Sequence, residues 1–196
     1  MGDNDRDLLP QSETARCFVA VPMKLFAREI HLRLRALEKK FSNVKWVVTS
    51  QTHITLHFFG QLNHAQITKA ADILQPVVEN SRPISLAIHG VGFFPHEQKP
   101  KVIWLGLRGD TEKLVKLQKK ITETLKGEGY PIESREFKPH LTVGRAKKNK
   151  DVTVNAKFSM PPVDSQNQIV SSVILYESIL SGDGPRYHPI KTFVLS

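Results

Sequence analysis

Two short strings with one shared pattern constrain this chain more than any other feature. They read HITL at residues 53–56 and HLTV at residues 140–143. Each lies in a stretch that predicts a β-strand, where successive side chains point to opposite faces. Each histidine therefore shares a face with the threonine two positions on, while the apolar residues between and after them anchor the other face in a core.

Two such pairs facing each other supply the groups that cleave a phosphodiester without a metal: two acid/base imidazoles and two hydroxyl donors. In chains of this composition, two copies of the pattern occur by chance on the order of once in several hundred chains. We therefore interpret the pair as functional. His53 and His140 are the candidate catalytic residues. Thr55 and Thr142 are candidate substrate-binding residues.

Length and composition are typical of an ordinary water-soluble globular protein. The chain has 196 residues, of which 40% are hydrophobic and 24% charged, which suits one domain or two small lobes sharing a core. Cys17 is the single cysteine, so an intramolecular disulfide is excluded. No apolar run approaches membrane-spanning length and no secretory segment is visible, so we expect a cytoplasmic protein with no membrane partner. Without a coiled-coil pattern, a monomer is the expected state.

The net charge of +9 favours polyanionic partners, nucleic acid above all. Five lysines fall on one predicted helix, where we interpret them as a solvated face. A second cluster, Lys147, Lys148 and Lys150, follows directly on the second motif. For this loop a role in substrate approach and a plain solvent-exposed tip are equally compatible with the pattern.

Hydrophobic periodicity predicts an α+β chain. We expect a disordered tail over residues 1–15 and a single bilobal domain over residues 16–196. The predicted strands are 16–22, 44–48, 52–59, 84–94, 102–107, 138–145, 168–180 and 187–195. The predicted helices are 24–40, one marked by apolar positions from 67 to 78, and one traced by apolar positions from 114 to 125 that ends at Gly127. Each motif strand follows a helix after about a dozen residues. Two similar α+β lobes, each contributing one motif strand to a central cleft, fit this order better than a doubly wound parallel sheet.

Two longer segments extend the motifs: TSQTHITLHFFGQL at residues 49–62 and FKPHLTVGRAK at residues 137–147. They resemble the two signatures of the two-histidine phosphoesterases, and within them the RNA 2′,3′-cyclic phosphodiesterases, also called 2′-5′ RNA ligases. The opening strand RCFVAVP, Lys45-Trp46-Val47 and the last strand are similar to that family as well. One departure is TSQT at residues 49–52, where the family tends to have a proline-containing turn.

The resemblance implies two pseudo-symmetric lobes of antiparallel sheet with outer helices around a cleft that holds both motifs. It implies metal-independent, cofactor-free opening of a 2′,3′-cyclic phosphate on an RNA end or nucleotide to a 2′-phosphate, with 2′-5′ ligation as the reverse reaction in some relatives. By analogy with the family, His140 is the base for water and His53 the acid for the ribose 3′-oxygen, although spacing alone does not fix that order.

Arg145 is a third candidate substrate-binding residue, because the family pattern favours an arginine near this position. In a regular strand, a residue five positions after His140 lies on the opposite face, so simple alternation would place Arg145 away from the two motif side chains. A bulge or bend at Gly144 would turn its side chain back.

His57 is expected on the face of His53, which raises the question of a metal site. Two strand residues four apart lie roughly 13 Å apart, too far for one zinc ion, so we predict no metal. Phe58, Phe59, Phe93, Phe94 and Trp46 are mostly core candidates, and the pattern does not tell which aromatic side chain stacks on a base.

Two alternatives stay open. The first is a non-catalytic module that binds nucleotides or RNA, although binding alone requires hydrogen-bond donors and not two acid/base groups. The second is an enzyme of the same fold that acts on another small cyclic phosphate.

Overall fold

The described residues form two antiparallel sheets, a two-stranded ribbon, three α-helices and two short 3₁₀ helices. The structure, a computed structural model, describes residues 12–154, 165–182 and 184–196. Every strand pair is antiparallel. The predicted α+β class, with two lobes of antiparallel sheet, is confirmed.

One sheet carries the first motif. It consists of β1 (Thr14–Pro22), β4 (His53–Asn63), β10 (Ser172–Ser181) and β11 (Gly184–Val194), in the order β11-β10-β1-β4. Because β1 and β10 are central, the strand that begins with His53 lies at one edge.

The other sheet carries the second motif. Its strands are β3 (Val44–Trp46), β5 (Ile84–Phe94), β6 (Val102–Gly109), β7 (Leu141–Ala146) and β9 (Gln168–Val170), in the order β3-β7-β6-β5-β9. The separate ribbon pairs β2 (Phe41–Ser42) with β8 (Thr153–Val154).

The three helices match the predicted amphipathic segments. They are α1 (Ala27–Glu38), α2 (His64–Glu79) and α3 (Thr111–Gly127). Asn63 starts α2 with a reciprocal capping box: its side chain accepts a hydrogen bond from the Gln66 N–H, and the Gln66 side chain accepts one from the Asn63 N–H, both at 2.9 Å. Helix α2 packs on β1, β4 and β11, while α3 contacts β4 and β5 and so touches both sheets. No helix within the described residues is long and apolar enough to cross a membrane.

A continuous apolar core joins the two sheets and the inner faces of the helices. The four apolar motif residues all lie in it, as expected: Ile54, Leu56, Leu141 and Val143. A smaller cluster of Phe18, Ala20, Ile174 and Tyr176 covers the opposite face of the first sheet. This second face borders the cleft between the lobes.

Several boundaries differ from the predictions. Strand β1 begins at Thr14, inside the segment predicted to be a tail, because it pairs with the far end of β4. The first 11 residues of that tail lie outside the described residues. The predicted strand over 168–180 is two strands in different sheets, which meet at Ser171. Ser171 and Ser172 are the only polar residues in the apolar run 169–175, and two serines do not predict a change of sheet.

The prediction that His57 shares the face of His53 is wrong. Val19 lies opposite His57 and Ala20 opposite Thr55, so Leu56 is an extra residue in β4 and forms a β-bulge. The bulge turns His57 into the core, where its side chain is only 5% exposed and its ring packs edge-on against Phe59. Its Nε2 is buried without a hydrogen-bond partner in the described structure.

Burial lowers the pKa of His57 to about 4. Between pH 6.5 and 4 the unfolded chain therefore binds a proton that the folded chain does not, so stability falls as the pH falls through this window. We predict that His57→Leu removes this loss. Relative to the variant, the wild type should lose roughly 2 to 3 kcal/mol of unfolding free energy between about pH 7.5 and 4.5, measured by urea unfolding. Parallel stability profiles for the two proteins would contradict a buried neutral His57.

Candidate active site

His53 is the first residue of β4 and is held by the turn that precedes it. Its Nδ1 lies 2.8 Å from the carbonyl oxygen of Gln51, which closes a short 3₁₀ turn over Thr49–Gln51. A carbonyl oxygen only accepts, so Nδ1–H is the donor, and in the neutral ring the lone pair is on Nε2. No described residue bonds Nε2, which leaves this atom available to a ligand.

His140 repeats this arrangement in the other sheet. It directly precedes β7, and its Nδ1–H donates to the carbonyl oxygen of Lys138 at 2.7 Å. In both motifs the acceptor is the carbonyl two residues before the histidine. The repeated bond fixes the tautomer of each ring and directs the Nε2 atoms away from the backbone.

Thr55 and Thr142 lie two positions beyond the histidines, on the same strand faces. Thr55 lies opposite Ala20, whose side chain is in the small cleft-side cluster. Thr142 lies opposite Trp104 in β6. Neither threonine hydroxyl has a hydrogen-bond partner among the described residues, so both are free to donate to a ligand.

Arg145 reaches the same cleft through a bulge. Gly144 lies opposite Ile103 and Thr142 opposite Trp104, so Val143 is the extra residue in β7. Because the bulge reverses the alternation after Val143, Arg145 lies on the same face as Thr142, and not on the opposite face as in a regular strand. A Cβ on Gly144 would lie 2.7 Å from the Val44 side chain and 2.9 Å from the Trp46 ring, which explains the glycine.

The two lobes bring His53, His140 and Arg145 within electrostatic reach of one another. Strands β4 and β7 are in contact across the cleft. Burial lowers the pKa of His53, and the positive charges of Arg145 and His140 lower it further, against the opposing effect of the bond to Gln51. The three predicted residues thus form one constellation, although they come from separate sheets.

Aromatic side chains form the wall behind His53. Its ring centroid lies 4.9 Å from that of Phe18, 4.9 Å from that of Tyr187 in an edge-on contact, and 6.4 Å from that of Tyr176. Sequence reasoning did not select these three residues. Alternation along β1 and β10 is the signal that could have placed Phe18 and Tyr176 on the cleft face.

A second aromatic wall lies behind His140. Its ring centroid lies 5.2 Å from that of Phe94 and 6.0 Å from that of Trp104, both in edge-on geometry. The indole of Trp104 covers Gly92, where a Cβ would overlap the ring. Of the aromatic residues expected to lie mostly in the core, Phe94 is only half-buried and contacts His140, while Phe59 is buried in the core.

The remaining sequence candidates do not converge on the site as ligands. Among the described residues, no group of three or more His, Cys, Asp or Glu side chains is placed to hold a metal ion. Lys147, Lys148 and Lys150 are exposed at the end of β7. Two of the helical lysines, Lys113 and Lys119, form ion pairs on the surface of α3.

Comparison with known proteins gives a consistent set of matches. The sequence model of the 2′-5′ RNA ligase superfamily matches residues 26–168. A protein of Archaeoglobus fulgidus named RNA 2′,3′-cyclic phosphodiesterase is 33% identical over 183 residues, which is 91% of this chain and 99% of that protein. A protein of the same name from Methanothermobacter thermautotrophicus is 30% identical and covers 92% of this chain and 98% of its own.

Solved structures share the fold. A structure from Thermus thermophilus superimposes with a TM-score of 0.77 at 23% identity, over 92% of this chain and 97% of its own. The crystal structure of E. coli LigT complexed with 3′-AMP gives a TM-score of 0.76 at 22% identity, over 94% of this chain and 99% of its own. The architecture of two lobes around a cleft is therefore confirmed.

We predict that the pKa of His53, followed by the NMR signal of its Cε1 proton, lies below 6.5, because burial and the neighbouring positive charges disfavour its protonation. Arg145→Met removes one of these charges and should raise that pKa. Arg35→Met is the matched control, since Arg35 is an exposed arginine on α1. A His53 pKa that does not respond to Arg145→Met would place Arg145 outside the cleft.

Proposed function

The chain belongs to the 2′-5′ RNA ligase superfamily, and from this premise we propose that it opens 2′,3′-cyclic phosphates at RNA ends to 2′-phosphates. The observation that carries the proposal is the duplicated histidine geometry. Each imidazole donates through Nδ1 to its own backbone and keeps Nε2 for the substrate. A protein that only bound a phosphate would not require two imidazoles held in this tautomer.

In the proposed reaction, water attacks phosphorus from the side opposite the ribose 3′-oxygen. His140 Nε2 removes a proton from the water as the new P–O bond forms. The bond from phosphorus to the 3′-oxygen breaks, and His53 protonates that oxygen through its Nε2. The phosphate stays on the 2′-oxygen. After one turnover His140 carries a proton and His53 is neutral, so exchange with solvent restores the starting state.

The electrostatics of His53 support its role as the acid. A lowered pKa makes an imidazolium a stronger proton donor, although it reduces the fraction protonated near neutral pH. The negative charge of a bound cyclic phosphate acts in the opposite direction and favours the protonated ring. A bound substrate thus opposes the effect of burial and of the neighbouring charges on the pKa of His53.

Thr55, Thr142 and Arg145 supply the stabilisation of negative charge. The two hydroxyls, unpartnered in the described structure, donate to the non-bridging phosphate oxygens. The guanidinium of Arg145 offers several N–H donors and a permanent positive charge to the same oxygens. These groups and the two histidines meet the electrostatic and proton-transfer needs of the reaction, so we propose that it proceeds without a metal or cofactor.

The same groups serve ligation with their roles unchanged. The 5′-hydroxyl of a second RNA end takes the place of water: His140 removes its proton as the new P–O bond forms, and His53 protonates the departing ribose 3′-oxygen. We propose that the chain joins RNA ends through a 2′-5′ linkage when such ends are concentrated.

We predict that His53→Ala and His140→Ala each lower turnover of a 2′,3′-cyclic-phosphate-ended oligonucleotide by roughly two to four orders of magnitude, the usual effect of a positioned acid or base. The assay contains a chelator and identifies the product by chromatography as the 2′-phosphate. His31→Ala, on the exposed surface of α1, is the matched control and should keep full activity.

Each other outcome points to a defined alternative. A 3′-phosphate product would mean that the opposite ester bond breaks. Tight binding without turnover would indicate a binding module. Hydrolysis of small cyclic phosphates but not of RNA ends would indicate a different substrate, and near-normal rates in either alanine variant would contradict the histidine pair.

We predict that Thr55→Val and Thr142→Val each lower kcat by roughly ten- to a hundredfold, because each removes one donor to the developing charge and keeps the shape of the side chain. Thr→Ser at the same positions retains the hydroxyl and should recover most of the rate. Equal losses in the valine and serine variants would show that packing, and not hydrogen bonding, is the role of these residues.

A further inference from the structure

The cleft face of the first sheet continues beyond His53 as a row of stacked side chains. The ring of Phe18 lies next to His53, and the ring of Phe58 lies 6.3 Å from Phe18 and is nearly parallel to it, at 15°. The guanidinium carbon of Arg16 lies 4.8 Å from the centroid of Phe58. The row thus runs from an imidazole through two aromatic rings to a guanidinium.

Strand register explains why these side chains share one face. Alternation along β1 places Arg16 and Phe18 on the side of Ala20, which faces the cleft. The bulge at Leu56 brings Phe58 opposite Phe18, three positions after Thr55 instead of two. The same irregularity that removes His57 from the cleft therefore adds Phe58 to it.

No described carboxylate neutralises the guanidinium at the far end of the row. Arg16 is exposed and forms no ion pair with any carboxylate in residues 12–154, 165–182 and 184–196. Its partner across β4 is the uncharged Gln61. Burial raises the pKa of Tyr187, and the charges of Arg145 and Arg16 both oppose this, so the two guanidinium groups flank the same phenol.

An RNA end has the chemistry that this row fits. The terminal ribose carries the cyclic phosphate on its 2′- and 3′-oxygens and an ordinary phosphodiester on its 5′-oxygen, which leads to the next nucleotide. Aromatic rings on an open sheet face are a common surface for stacked RNA bases, and a free guanidinium binds phosphate. A cyclic mononucleotide lacks the second phosphate and the second base.

We propose that Arg16 and Phe58 form a subsite for the nucleotide immediately upstream of the reactive end, which makes oligoribonucleotides better substrates than cyclic mononucleotides. This inference rests on the proposed function, because it assumes that the cyclic phosphate lies between His53 and His140. Phe58 stacks on the upstream base, and Arg16 contacts the upstream phosphodiester.

The test compares uridine 2′,3′-cyclic phosphate with the uridine dinucleotide that ends in the same group. We expect the wild type to prefer the dinucleotide by about tenfold in kcat/KM, the order given by one stacked base and one phosphate contact. Arg16→Gln and Phe58→Leu should each remove most of that preference through KM, with kcat unchanged. Hydrolysis of the mononucleotide, which does not reach the subsite, should stay at the wild-type rate.

Salt dependence separates the phosphate contact from the stack. Arg16→Gln should reduce the slope of log(1/KM) against log[salt] for the dinucleotide by about 0.7, the value for one neutralised phosphate on a single strand. Phe58→Leu should leave the slope unchanged. Arg35→Gln, which removes the same charge from α1, is the control and should change neither KM nor the slope.

The experiments distinguish an error in the proposed subsite from an error in the proposed function. Equal kcat/KM for the two substrates, or a preference that survives both variants, would overturn the subsite and leave the proposed function intact. Absence of hydrolysis of both substrates would overturn the proposed function. The subsite is then decided by calorimetric binding of the dinucleotide 2′-phosphate, which Arg16→Gln weakens several-fold if the subsite exists and leaves unchanged if it does not.

Discussion

The hydrogen bond from each motif imidazole to its own backbone is the constraint on which the candidate site depends. In each lobe a carbonyl two residues before the histidine accepts from Nδ1–H, as Gln51 does for His53 and Lys138 for His140. The bond requires no second side chain, so a strand and the residues before it are enough to orient an imidazole. Two copies of that small unit, one in each sheet, place two imidazoles of the same tautomer at one cleft.

Bulges determine which other side chains reach the cleft. The extra residue Leu56 in β4 sends His57 into the core and Phe58 to the cleft, and the extra residue Val143 in β7 returns Arg145 to the face of His140. Both irregularities lie within four residues of a motif histidine. Regular strands without bulges would still place each histidine and threonine at the cleft. A regular β7 would turn the guanidinium of Arg145 away from the cleft, and a regular β4 would turn the imidazole of His57 into it.

The sequence was sufficient for the fold class, the helices and the candidate site built on the histidines and threonines, because these depend on periodicity and on repeated short motifs. The sequence did not predict which face a side chain takes where a bulge adds one residue to a strand. The expectation for His57 was wrong for that reason, and Arg145 was predicted only on the condition of a bend. The aromatic walls were missed because Phe18 and Tyr176 come from strands distant in sequence, and the register that unites them is a tertiary property.

The central claim is that two imidazoles from separate lobes bind one phosphate between them. The most direct test is a titration with inorganic phosphate near neutral pH, in which the Cε1 resonances of all histidines are followed by NMR. The resonances of His53 and His140 should move together with one half-saturation concentration, while that of the buried His57 stays in place. Movement of only one of the two, or different half-saturation concentrations for them, would contradict a shared site.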